Sequence, residues 1–85
     1  MQFDGALIRE QGVTFAIVVV KQHVLNSPHE RDQMQQFGLQ VFGPIPIILM
    51  AQDTRGIPTY YGRQDIVNFL SRVNPAAIPW KRYTV

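Results

Sequence analysis

The stretch PIPIILMAQDTRGIPTYYGRQDIVNFLSRV, Pro44 to Val73, decides the fold. Ile45 to Gln52 is apolar and β-branched enough for a buried strand, with Pro44 and Pro46 confined to its start, where a missing N–H does least damage. Asp53-Thr54-Arg55-Gly56 carries aspartate first and glycine fourth, the preferences of a type I turn. Ile57 to Tyr61 returns as a second strand. Pro58 removes one donor from it, which predicts a sheet edge. A helix then starts at Gly62 or Arg63 and stops at Asn74-Pro75, with Asp65 in its positive first turn. Ile66, Val67, Phe69, Leu70 and Val73 form its apolar face.

Upstream, Gly5–Glu10 and Val13–Lys21 read as two strands joined at Gln11-Gly12, a tight hairpin turn. The run Phe15 to Val20 is continuously apolar, as suits a strand covered on both faces or central in a sheet. Ser27-Pro28-His29-Glu30 is a capping box with proline at the first helical position. It opens a helix over about Pro28–Phe42, whose apolar face is Met34, Phe37, Gly38, Val41 and Phe42. Glycine inside a helix weakens it by up to about 1 kcal/mol, so Gly38 on that face indicates close packing on the sheet. Gly43-Pro44 ends the helix.

The element order is ββαββα. A strand–helix–strand unit makes parallel neighbours, and the two hairpins add antiparallel ones. The expected fold is α+β: a two-layer α/β sandwich, with a mixed four-stranded sheet and two helices packed most simply on one face. Residues 1–74 form the single domain, and 75–85 an extended Pro- and aromatic-rich tail, part of which docks through Ile78, Trp80 and Tyr83.

Phe42 to Val73 also resembles the C-terminal half of the thioredoxin-like superfamily. The matching features are the Ile45-Pro46 step, the strand Ile47–Ala51, the turn Asp53–Gly56, the strand Ile57–Tyr61, Gly62 and the closing helix. The resemblance implies a cis peptide at Pro46. It implies no redox activity, because the chain has no cysteine and KQHVLNSPHE follows the strand where the family has Cys-x-x-Cys. The family's additional strand and helix before the Ile-Pro step have no counterpart either.

Composition excludes several functions. With 85 residues the chain is one domain at most, and its 46% hydrophobic content is that of a globular protein. The lack of cysteine excludes disulfides, thiol chemistry and cysteine–zinc sites. A net charge of +2 is too mild for a dedicated nucleic-acid binder. No apolar run approaches the ~20 residues of a membrane span. Met1–Glu10 lacks the basic start and apolar middle of a signal peptide, so a cytoplasmic location is expected.

Chemistry-bearing residues are sparse. His23 and His29, near Glu30 and Asp32, have no spacing that forces acid–base geometry, and no third metal ligand is evident. No catalytic residue, cofactor or metal is expected. Candidate interaction residues fall in three groups. Arg55 sits on a hairpin tip. Tyr60 and Tyr61 alternate in direction, so one should enter the core and the other face outward beside Arg63. Trp80, Lys81, Arg82 and Tyr83 are the densest basic-aromatic cluster; they can cap the core, pack on a neighbouring subunit, or clamp a phosphate backbone and stack bases. The leading expectation is a non-catalytic protein-interaction module, a homo-oligomer or the binder of another protein. Alternatives are nucleic-acid binding through the tail, aided by Arg55, Arg63 and Arg72, and an enzyme whose site forms between subunits. Replacing Ile17 with Asp should abolish folding, since an unpaired buried carboxylate costs several kcal/mol; far-UV circular dichroism of the variant should show a coil.

Overall fold

Phe15, Ala16, Ile17 and Val18 are all buried, and so are Ile47 through Ala51. Alternate residues of a strand point to opposite faces, so strands buried without interruption must be covered on both sides. The computed structural model, which describes all residues Met1–Val85, shows how. Strands β1 (Gln2–Glu10) and β2 (Val13–Val19) form an antiparallel hairpin. A short helix α1 (Gln22–Leu25) and the long helix α2 (Pro28–Phe42) cross over to β3 (Ile47–Gln52), which lies parallel to β2. Strand β4 (Pro58–Tyr61) returns antiparallel to β3, and α3 (Gln64–Leu70) follows. A 3-10 turn at Pro75–Ala77 leads into β5 (Lys81–Thr84), antiparallel to β1. The mixed sheet has five strands in the order β4-β3-β2-β1-β5.

The expected two-layer arrangement is corrected. Ala6, Phe15, Ile17, Ile48 and Met50 pack with Ile66 and Leu70 of α3, and with Ile78. Phe3, Ala16, Val18, Ile47, Leu49 and Ala51 pack with Leu25 of α1 and with Met34, Phe37, Val41 and Phe42 of α2. The helices therefore cover opposite faces of the sheet. The four-strand expectation also changes: the segment read as an extended tail supplies the fifth strand. Strand β1 begins at Gln2 rather than Gly5, α3 ends at Leu70, and α1 is an additional turn of helix.

Local chemistry explains most boundaries. Ser27 Oγ accepts the Glu30 backbone N–H at 3.3 Å, the forward half of the capping box. The Glu30 carboxylate does not reach back; it lies 3.9 Å from His23 Nε2. Gln11 (φ 51°) and Gly12 (φ 78°) both adopt the left-handed region that a two-residue hairpin turn requires. At the second hairpin Gly56 N–H donates to Asp53 C=O, while Asp53 Oδ1 accepts from the amides of Arg55 (2.8 Å) and Ile57 (2.9 Å). Every peptide bond is trans, Pro46 included, in contrast to the cis geometry that the thioredoxin-like resemblance implies.

Two glycines set the spacing around β3. A Cβ on Gly38 would stand 2.5 Å from Ile47 Cγ2, so α2 sits directly on the strand. A Cβ on Gly62 would stand 2.6 Å from Ile48 Cδ1 and 3.1 Å from the Ile47 carbonyl oxygen. Ile47 is buried and β-branched, with little freedom to turn away. Gly38→Ala should therefore destabilise the fold by up to about 2 kcal/mol, the overpacking cost of about 1–3 kcal/mol less the helix-propensity gain of about 1 kcal/mol. Urea denaturation measures it, and a stabilised variant would contradict the close approach.

Candidate interaction surface

The C-terminal segment is built into the sheet from its own side chains. Asn74 Oδ1 accepts the Ala76 N–H at 3.0 Å and starts the 3-10 turn. Ile78 is buried against the α3-side core. Trp80 rests half-buried on the same core, and its indole Nε1–H donates to Pro75 C=O at 2.9 Å. An indole with an apolar ring to bury and one donor to satisfy finds both within the chain.

Along β5 the side chains alternate. Tyr83 turns to the α2 face, where it stacks on Phe3 (5.2 Å between centroids, 13° between planes) and meets Phe42 edge-on at 5.1 Å. Lys81, on that same face, places Nζ 5.5 Å from the Tyr83 ring centroid. Arg82 turns to the other face. Its Nε donates to Asp4 Oδ1 at 2.6 Å, and a terminal nitrogen lies 3.4 Å from Gln2 Oε1. Both partners of this ion pair are exposed, so its contribution to stability is small.

The other candidates lie across the sheet. Arg63 grips the Asp65 carboxylate with two nitrogens, at 2.7 and 2.8 Å. Arg55 is exposed on the hairpin tip, 3.9 Å from Asp53 Oδ2. Neither β4 tyrosine faces fully outward, which corrects that expectation: both are half-buried, Tyr60 on the α3 face and Tyr61 on the α2 face. Both faces of β4 are flanked by helices, so both rings find cover. Tyr61 lies beneath the Arg31 guanidinium at 4.4 Å rather than beside Arg63. The Tyr60 hydroxyl is buried without a partner, and its pKa is pushed above the ordinary value by desolvation.

The structure thus divides the candidates between two edges. Arg55, Tyr60, Tyr61 and Arg63 belong to the β4 end and Trp80–Tyr83 to the β5 end, four strand spacings or ~19 Å apart. The sequence offered no sign of Asp4, Phe3 or Phe42 as members of the β5 group. Asp4 and Arg82 are 78 positions apart, and only the sheet register brings them together.

The surface depressions gather little chemistry. One of about 310 Å³ lies between Gln35, Leu39, Ile45, Pro46, Ile47 and Arg63. Another, of about 390 Å³, runs from Met1–Asp4 past Val19–Lys21 and Val24 to Arg82. His23 and His29 are both exposed, and no three His, Asp or Glu side chains are grouped as metal ligands. No helix is long and apolar enough to cross a membrane. Compared with family models, curated proteins and solved structures, the chain matches none. The thioredoxin-like resemblance of Phe42–Val73 stands on its own motifs alone.

The hydrogen bonds from Arg63, joined by its charge, hold the Asp65 carboxyl below the ordinary carboxylate range. A depressed folded-state pKa stabilises the fold above the unfolded-state value, and this stabilisation is lost as pH falls through the folded-state value. A carboxyl-resolved NMR titration should find Asp65 titrating below the ordinary carboxylate range. Arg63→Gln should return Asp65 toward the ordinary range; an unchanged Asp65 would show that the bidentate contact is not held in solution.

Proposed function

We propose that the chain is a small non-catalytic interaction module that associates with itself. The carrying observation is how the candidate binding groups are used. Arg82 is neutralised by Asp4 and Arg63 by Asp65, and Arg55 lies beside Asp53. The rings of Trp80 and Tyr83 are committed to intrachain packing. A phosphate-binding surface needs free cations in one place, because affinity grows with the number of phosphates neutralised. Here the three arginines among the candidates each have a carboxylate beside them, Lys81 alone of the candidate cations has none, and the group is split between two sheet edges. The one imidazole–carboxylate pair, His23 with Glu30 at 3.9 Å, lies exposed on the surface rather than in a pocket that would hold a substrate. Exposed apolar side chains remain: Leu7 and Ile57, each 51% exposed, and Leu39. The sheet also ends in strands that no other element of the chain pairs. Such features fit contact with another polypeptide better than with a small ligand.

Sedimentation equilibrium on the full chain should show a weight-average mass rising with concentration across about 1 µM to 1 mM, the range that brackets association free energies of roughly −8 to −4 kcal/mol. The mass of a single chain throughout would overturn the proposal. Salt-sensitive binding of a labelled single-stranded oligonucleotide would turn it toward nucleic acid.

A further inference from the structure

The two edges of the sheet are not equivalent, and the phase of their hydrogen bonds shows why. Val85 N–H donates to Met1 C=O at 2.9 Å, and Met1 N donates back to Val85 C=O at 2.8 Å. In an antiparallel ladder such closed pairs recur at every second residue. With Phe3 opposite Tyr83 and Gly5 opposite Lys81, the backbone groups of Lys81 and Tyr83 point into the sheet. Those of Arg82 and Thr84 point away from it, and no element lies beyond β5 to meet them.

At the opposite edge, Asp53 N–H donates to Ile57 C=O, and Pro58 stands opposite Gln52. The inward residues are Ile57, Thr59 and Tyr61, and the outward ones Pro58 and Tyr60. Proline thus occupies an outward position, where its missing N–H leaves the internal ladder intact and deprives an incoming strand of a donor. This phase separates the two edges: β4 is guarded and β5 is open.

Deepening the self-association reading, on which this inference rests, we propose that two copies of the chain join edge to edge through β5. The strands run antiparallel about a two-fold axis and continue the sheet from one copy into the other. A two-fold axis through Arg82 would set like charges directly opposite, which is destabilising. An axis through Tyr83 pairs Arg82 with the partner's Thr84 and Lys81 with the partner's Val85. All the outward amides and carbonyls of Arg82 and Thr84 are then satisfied. Tyr83 meets its own symmetry copy in a non-hydrogen-bonded pair, the closer type, and each ring covers the half that the Phe3–Phe42 cluster leaves exposed. Charge favours a second copy over an acidic strand. Arg82 already holds Asp4 at 2.6 Å, so an acidic partner would have to compete with Asp4, and the one unpaired cation of the seam, Lys81, falls opposite the partner's Val85 rather than opposite another cation. The seam is short against the ~800 Å² per partner of a typical stable interface, so the dimer is weak and concentration-dependent.

The test is Thr84→Pro, which deletes an outward N–H and leaves every bond to β1 in place. Sedimentation of wild type and variant is read beside their thermal melts. At least tenfold weaker association with an unchanged melt supports the seam. Association of equal strength in both overturns the seam and leaves self-association standing. A wild type that stays a single chain at the highest concentration overturns both. Should the variant fail to fold, cross-linking decides. The chain contains no cysteine, and facing strand positions suit disulfide geometry. Lys81→Cys mixed with Val85→Cys should oxidise to a mixed dimer faster than either variant alone oxidises with itself. Equal rates would overturn the register.

Discussion

Strand β3 is gripped from both sides, and the remaining architecture is arranged around that grip. On one face α2 lies so near that only glycine fits at position 38, against Ile47. On the other face the chain turns back at Gly62 against Ile48 and leads into α3, whose Ile66 and Leu70 are buried. Parallel pairing of β3 with β2 then places the two most apolar segments side by side at the centre of the sheet. A chain of 85 residues has little surface to bury and no disulfide to help it. Concentrating its branched aliphatic side chains in two strands covered on both faces is how this one obtains a core.

That arrangement leaves little in the interior for chemistry. No charged or polar residue is fully buried. The ion pairs involving Asp4, Asp53 and Asp65 are all exposed, where solvent screening leaves such pairs little weight in stability. Their clearer consequence is electrostatic: they place a carboxylate beside Arg55 and Arg63 at one end of the sheet and beside Arg82 at the other. What distinguishes one region of the surface from another is then the backbone, open along β5 and interrupted by proline along β4.

Where the determinants were local, the sequence was readable. Ser27, Pro28 and Gly43 delimit α2, whose observed range is the expected one. Asp53 and Gly56 make the second turn, Gln11-Gly12 the first, and Pro58 marks an edge. The continuous apolar character of β2 and β3 also signalled cover on both faces; expecting both helices on one side passed over that signal. Strand β5 was hidden for a different reason. Lys81-Arg82-Tyr83-Thr84 is too short and polar for a visible period, and its partners Phe3 and Asp4 lie at the other end of the chain. The clamp of Asp4 on Arg82 and the stacking of Tyr83 on Phe3 exist only through a register that local propensity does not encode. Of the readings open to the tail's basic-aromatic cluster, packing on the core is what Trp80 and Tyr83 do, while Arg82 pairs with Asp4.

Native-state hydrogen exchange followed by NMR tests the central grip most directly. If β2 and β3 are the clamped centre, the paired amides of Phe15–Val18 and Ile48–Ala51 exchange only through global unfolding, with the free energy that denaturation gives, while amides at the β5 edge open far more readily. Central amides exchanging as fast as those of Lys81 and Tyr83 would contradict the account, because the pair taken to organise the molecule would then be no more stable than its margin.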